Sequence, residues 1–172
     1  MPSITYDPTD GNIVVLGDVE DSPNAVIFRD RSGADLVIAT VLGDSIALEI
    51  GTVREFILSV EGFGYPTGKG GAVSQGVSRA TAVTLNNVCG QITGRADSLA
   101  GVTIATFTVN NTAVEATDTI ILSKVSGDPD TSCWIEAVAA NSFDISVRNN
   151  HASSADTTAM VMNFAIIKAV SS

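Results

Sequence analysis

The chain has 172 residues, of which 45% are hydrophobic but only 5% aromatic, and its 19 acidic and 9 basic side chains leave a net charge of −10. That length holds one large β domain or two small ones with a real core, while the acidity and the lack of any basic stripe argue against binding to a phosphate backbone. No run approaches the roughly 18 apolar residues of a membrane span, and two cysteines, Cys89 and Cys133, are too few for a disulfide framework, so buried free thiols are expected.

The apolar residues are mostly Val, Ile, Ala and Leu interleaved with Thr and Ser, a mixture suited to pleated, half-buried surfaces. Met1 to Asp7 contains neither a basic nor an apolar leader region, so no signal peptide is expected, and the protein is expected either to be made and used in a cytoplasm or to leave by lysis. Ile4, Thr5 and Tyr6, between Pro2 and Pro8, read as an extended arm and as candidate partner contacts. Short apolar runs follow at intervals of about ten residues: Ile13–Leu16, Ala25–Phe28, Leu36–Leu42, Ile46–Ile50 and Val53–Val60, each punctuated by Gly or Asp. They predict a meander of four or five strands, with Ile46, Leu48 and Ile50 on one buried face. Residues 1–65 hold 11 acids against three arginines, a net charge of −8, and form an acidic N-terminal β module.

Gly62 to Gly71 contains five glycines and a proline, a density that predicts a hinge, placed at 66–72. Beyond it, residues 73–172 contain alternating segments at Val83–Asn86, Gln91–Thr93, Thr103–Val109, Thr119–Ser123, Trp134–Val138, Phe143–Arg148 and Met160–Ile167. Seven or eight strands at this spacing predict a two-sheet β-sandwich, jelly-roll or Greek-key-like. The helical windows, Asp97–Ala100 and Val138–Asn141, are too short to count. The fold class is all-β.

Chemical motifs are sparse. Gly68-Lys69 fails as a phosphate-binding loop because Phe63 stands where the first glycine belongs and Gly70 where the magnesium-binding hydroxyl belongs. His151, the only histidine, lies in a polar stretch between strands and reads as a solvated turn residue, since no motif supplies a nucleophile or an orienting acid. Asp128-Pro129-Asp130 after Gly127 reads as a turn. Asp18, Glu20 and Asp21 are densely acidic without the calcium-loop pattern, which leaves a cation or plain solvation open. Trp134, beside Ile135, is expected in the core. No catalytic, cofactor or metal residue is assigned, and the expectation is a protein that is not an enzyme.

The stretch Gly71-Ala72-Val73-Ser74-Gln75, Ser78-Arg79, Thr81, Val83-Thr84-Leu85-Asn86 and Cys89-Gly90-Gln91-Ile92-Thr93 resembles a segment found in bacteriophage virion structural proteins. The likeness continues in order through Ala105–Asn111, Val114–Asp118, Ala137–Phe143 and Asn163–Lys168, with Arg79 and Ala82 as small departures. The resemblance implies a virion protein without catalytic residues. The reading it favours is a capsid decoration, or cement, protein on the capsid surface that binds the major capsid protein. The alternative is a head-fibre or tail-associated module that binds a receptor or glycan. By analogy with phage surface proteins, and because the strand from Met160 is unusually apolar for an edge, a homotrimer is expected, with Met160, Met162 and Phe164 at its interface.

Overall fold

The computed structural model describes residues 62–169 throughout and, ahead of them, the backbone of the strands between residues 3 and 59. The chain divides into two compact units, Met1–Thr67 and Gly68–Ser172.

In the first unit, β1 (Ser3–Tyr6) and β2 (Ile13–Leu16) form an antiparallel pair with Ser3 opposite Leu16. The expected arm is therefore half of a two-stranded ladder. The strands β3 (Ala25–Arg29), β4 (Asp35–Leu42), β5 (Ser45–Ile50), β6 (Val53–Ser59) and β7 (Gly62–Gly64) form a five-stranded antiparallel meander in chain order. The expected burial of Ile46, Leu48 and Ile50 concerns side chains outside the described residues. The division between the units, after Thr67, falls within 66–72, and glycines on either side of it belong to strands. Gly62–Gly64 completes the meander and Gly70 opens the next sheet, because a strand paired to a neighbour tolerates glycine wherever close approach requires it.

The second unit is a β-sandwich of eight strands: β8 (Gly70–Ser74), β9 (Val83–Thr84), β10 (Cys89–Thr93), β11 (Ile104–Asn110), β12 (Thr119–Ser126), β13 (Thr131–Ala139), β14 (Ser142–Asn149) and β15 (Val161–Ile167). One sheet has the order β12-β15-β10-β8 and the other β13-β14-β11-β9. Each sheet is antiparallel except at one edge, where β8 runs parallel to β10 and β9 parallel to β11. Among the described residues there is no helix. Val138–Asn141 closes the β13–β14 hairpin, where Asn141 takes the left-handed conformation (φ 65°) that asparagine tolerates.

The core forms between the inner faces. Phe107, Val109, Phe143, Ile145 and Val147 come from one sheet, and Ile92, Ile120, Met162, Phe164 and Ile166 from the other. Phe143 and Phe164 meet at 5.3 Å between ring centroids with their planes tilted by 54°, a favourable aromatic geometry across the two layers. Met160 and Met162 are 1% and 0% exposed and Phe164 3%, so none of the three can meet a partner. The expectation of an interface there is corrected. The strand is apolar because β15 is an inner strand of its sheet, flanked by β12 and β10, and not an edge.

Six of the seven connections in the sandwich cross from one sheet to the other, and only β13–β14 is a hairpin within a sheet. Crossing loops cover the ends of the core, so their backbone groups must find partners inside the protein. Buried polar side chains supply them. Gln75 Nε2 donates to the carbonyls of Arg79 (3.0 Å) and Thr81 (2.9 Å), and its Oε1 accepts from the Arg95 amide. Asn111, fully buried, donates to the Asn87 carbonyl at 2.8 Å. Asn149 donates to the carbonyls of Leu99 and Ser154, both at 2.8 Å.

The Arg79 guanidinium is the largest of these ties. It donates to the carbonyls of Asp97, Asp156 and Thr158 and lies 2.9 Å from Asp156 Oδ2. That last approach is off the hydrogen-bonding direction, so Coulomb attraction is what holds this oxygen, which accepts no hydrogen bond. Both side chains are less than a tenth exposed. Replacing Arg79 by Ala is expected to strand the buried carboxylate and three loop carbonyls, with a loss of about 3–5 kcal/mol in urea unfolding. Phe164→Ala, which empties one side of the aromatic pair, is expected to lose a similar ~3–5 kcal/mol.

Candidate functional site

Strand alternation gives each sheet of the sandwich an outer face. On the sheet β12-β15-β10-β8 that face reads, in cross-strand rows, Ile121–Ala165–Cys89–Gly70, then Ser123–Asn163–Gln91–Ala72, then Val161–Thr93–Ser74. Thr119 and Ile167 pair at one end, and Val125 stands on β12 at the other. None of these residues is Asp, Glu, Lys, Arg or His. At the centre Gln91 Nε2 donates to Asn163 Oδ1 at 3.1 Å. Ile121, Val125 and Ile167 are about half exposed (51%, 53% and 46%), an arrangement that a sheet facing only water does not need.

The β8–β10 side of the same face is sunken. Gly70 offers no side chain, and a shallow hollow lies over Gly70, Gly71, Cys89, Gly90, Gln91, Asn163 and Phe164. Gly71 and Gly90 stand opposite each other in the parallel pair, and both are required. A Cβ on Gly71 would lie 2.7 Å from the Leu85 side chain and 2.6 Å from Asn87 Oδ1, and one on Gly90 would lie 2.7 Å from the Gly71 carbonyl. Leu85 fills the space beneath the two glycines, which is how the loop after β9 locks onto the sheet.

Lys168, next in the chain after Ile167, is bound at 2.8 Å to Asp118 and lies 3.7 Å from Glu115, so its charge is neutralised locally. Burial alone would raise the Asp118 carboxyl. The Lys168 ammonium and the amides of Glu115 and Ala169 outweigh it and hold the group below its ordinary value. The bond to Asp118 in turn raises Lys168 above its ordinary value. The pair therefore stabilises fully between the ordinary carboxyl and ammonium values, losing its effect on the acid side as pH falls through the lowered carboxyl and on the alkaline side as pH rises through the raised ammonium.

The outer face of the other sheet carries the charged groups Glu136, Asp144 and Arg148 beside the half-exposed Ile104. Trp134 stands beside Ser146 in the ladder, at the edge strand β13, and its indole nitrogen donates to Glu136 Oε2 at 2.6 Å. Ser146 Oγ donates to the same oxygen at 3.1 Å and lies 2.7 Å from Thr106 Oγ1. Thr108 Oγ1 donates to Asp144 at 2.7 Å. Trp134 is therefore not in the core as its neighbour Ile135 predicted: of two consecutive strand residues only one points inward, and Ile135, paired with Ile145, is that one. A bulge between Ile135 and Ala137 sets Glu136 against the indole. The alternation of Thr106 and Thr108 in β11 was the one sequence signal for this face.

His151 Nδ1 accepts from the amides of Ser153 (3.2 Å) and Ser154 (2.8 Å), a turn contact. Asp128 closes its turn by accepting from the Asp130 amide at 2.8 Å, as the sequence predicts. Cys89 and Cys133 are free and half-buried, on different sheets, and burial raises both thiols, with Lys124 partly offsetting this at Cys133. Asp18, Glu20 and Asp21 lie outside the described residues, as do the side chains of Ile4, Thr5 and Tyr6. Among the described residues no three His, Cys, Asp or Glu side chains form a metal-binding group.

No protein-family model, curated protein or solved structure matches the chain. The fold defines an all-β protein whose C-terminal unit is a β-sandwich with one outer face free of charge and one that carries Glu136, Asp144 and Arg148.

Replacing Lys168 by Met is expected to lower the melting temperature most near neutral pH. The gap from the parent should narrow below about pH 4, where an Asp118 carboxyl without its cation takes up a proton. Melting curves across pH 2.5–8 check this.

Proposed function

We propose that the chain is a non-catalytic structural protein of a bacteriophage particle, a capsid decoration protein that binds the major capsid protein and stabilises the head. The observation that carries the reading is the charge-free outer face of β12-β15-β10-β8 in a chain of net charge −10. A sheet face without charge, studded with half-exposed isoleucine and valine, serves adhesion between protein surfaces and no chemistry. The resemblance of Gly71–Thr93 and the segments after it to phage virion proteins supplies the setting. In this reading the acidic N-terminal unit docks on the capsid and the sandwich contacts its neighbours. Many weak contacts on one lattice then add through effective concentration.

Trp134 favours a second reading, a receptor- or glycan-binding module on a head fibre or tail. An outward aromatic ring flanked by Glu136, Thr106 and Asp144 is the combination of stacking surface and hydrogen-bonding groups that a sugar ring would use.

The two readings separate in one experiment. Purified protein is mixed with decoration-free phage heads, which are pelleted and assayed for bound protein and heat resistance. Saturable binding at about one copy per capsid subunit, with a rise in the temperature of head disruption, is the expected outcome. No binding to heads, together with adsorption to host cells that Trp134→Ala abolishes, would replace decoration with receptor binding.

A further inference from the structure

The charge-free face also has a shape, and the shape fits itself. Along the row Ile121–Ala165–Cys89–Gly70 a half-exposed isoleucine stands at one edge of the sheet and an absent side chain at the other. A two-fold axis parallel to the strands, lying over the boundary between β15 and β10, exchanges these edges. It places Ile121 of each copy over the hollow at Gly70, Gly71 and Cys89 of the other. The same axis sets Asn163 of one copy against Gln91 of the other. Both are amides with donors and acceptors to spare beyond their own 3.1 Å bond, so each can be satisfied by its symmetry mate.

We propose that the outer face of β12-β15-β10-β8 is a self-docking surface that joins two copies of this chain face to face. The occupant is set by charge. Two bodies of charge −10 repel wherever acidic surface meets acidic surface, and this face lets them meet without it. Docking the face on the opposite sheet would press it onto Glu136, Asp144 and Arg148, which would lose water without gaining partners. A face that pairs with itself is isologous and closes as a dimer, whereas the three-fold ring expected from the sequence needs two different patches. The inference rests on the reading of the protein as adhesive and names one of the partners.

Strand spacing of about 4.8 Å and a rise of about 3.3 Å per residue give a four-strand footprint near 400 Å². The roughly 800 Å² per partner of a standard interface is larger, so micromolar pairing is expected. The test is sedimentation velocity on the full chain at ~1 to ~300 µM, a range that brackets such an affinity. The expected result is a monomer–dimer equilibrium that Ile121→Asp, which adds charge, and Gly70→Val, which fills the hollow, each weaken at least about tenfold. A Cβ at Gly70 meets nothing closer than the Cys89 sulfur at 3.5 Å, and Ile121 is half exposed, so both variants fold, which an unchanged circular dichroism spectrum verifies. Ala137→Asp, on the exposed side of the other sheet, should leave the equilibrium unchanged. A monomer throughout, a trimer, or a dimer indifferent to both face substitutions overturns the proposal. Head binding by Ile121→Asp is scored separately: if it persists while dimers are lost, decoration and self-docking are independent. If the parent dimerises but does not bind heads, decoration fails and self-docking stands.

Discussion

Six crossings between two sheets impose the constraint on which the sandwich depends. A hairpin returns its backbone to the ladder it left, but a crossing loop passes over the end of the core and takes its amides and carbonyls away from water. Each such group left unpaired costs about 1–3 kcal/mol, so a fold with this connectivity stands only if side chains inside the protein meet the demand. Gln75 and Arg79 serve the crossing from β8 to β9, Asn111 and Asp118 that from β11 to β12, and Asn149 and Asp156 that from β14 to β15.

The same constraint explains why the segments outside the strands are punctuated by polar residues. Gln75, Arg79, Asn111, Asp118 and Lys168 lie within or beside those segments, and the first four are buried. They are not a binding site. They anchor loops. Function is then left to the outer faces, where strand residues are free of the core and of the loops. On one sheet they are uncharged and partly apolar, with isoleucine at one edge and a glycine hollow at the other. On the second they form a hydrogen-bonded chain around one tryptophan.

Outer face and core are therefore built by alternate residues of the same strands. In β15, Met162, Phe164 and Ile166 build the core while Val161, Asn163, Ala165 and Ile167 form the outer face. In β13 the bulge at Glu136 interrupts that division of labour and turns a carboxylate toward the indole. Pairing with Asp118 and Glu115 offsets the cationic charge of Lys168 at the end of the uncharged face.

Alternation and turn residues were legible in the amino-acid sequence. The strands from Ile13 to Ser59 and from Val83 to Ile167 lie within a residue or two of where period-two patterning placed them, except that β12 runs three residues further, to Ser126, and β13 begins three residues earlier, at Thr131; the all-β class follows from local chemistry alone. The strand at Gly70–Ser74 was not legible, because its glycines are there for the approach of Leu85 and Asn87, which are distant in the chain. Nor was the direction in which a strand faces. Trp134 was expected inside and Met160, Met162 and Phe164 at an interface, and the structure reverses both, because periodicity shows that residues alternate but not which set meets the other sheet. That choice depends on strand order, and an inner position for β15 was decided by pairing between residues more than 70 positions apart, such as Gln91 and Asn163. Sequence determined which residues share a face; only the tertiary structure decided which face is buried and which is left to bind.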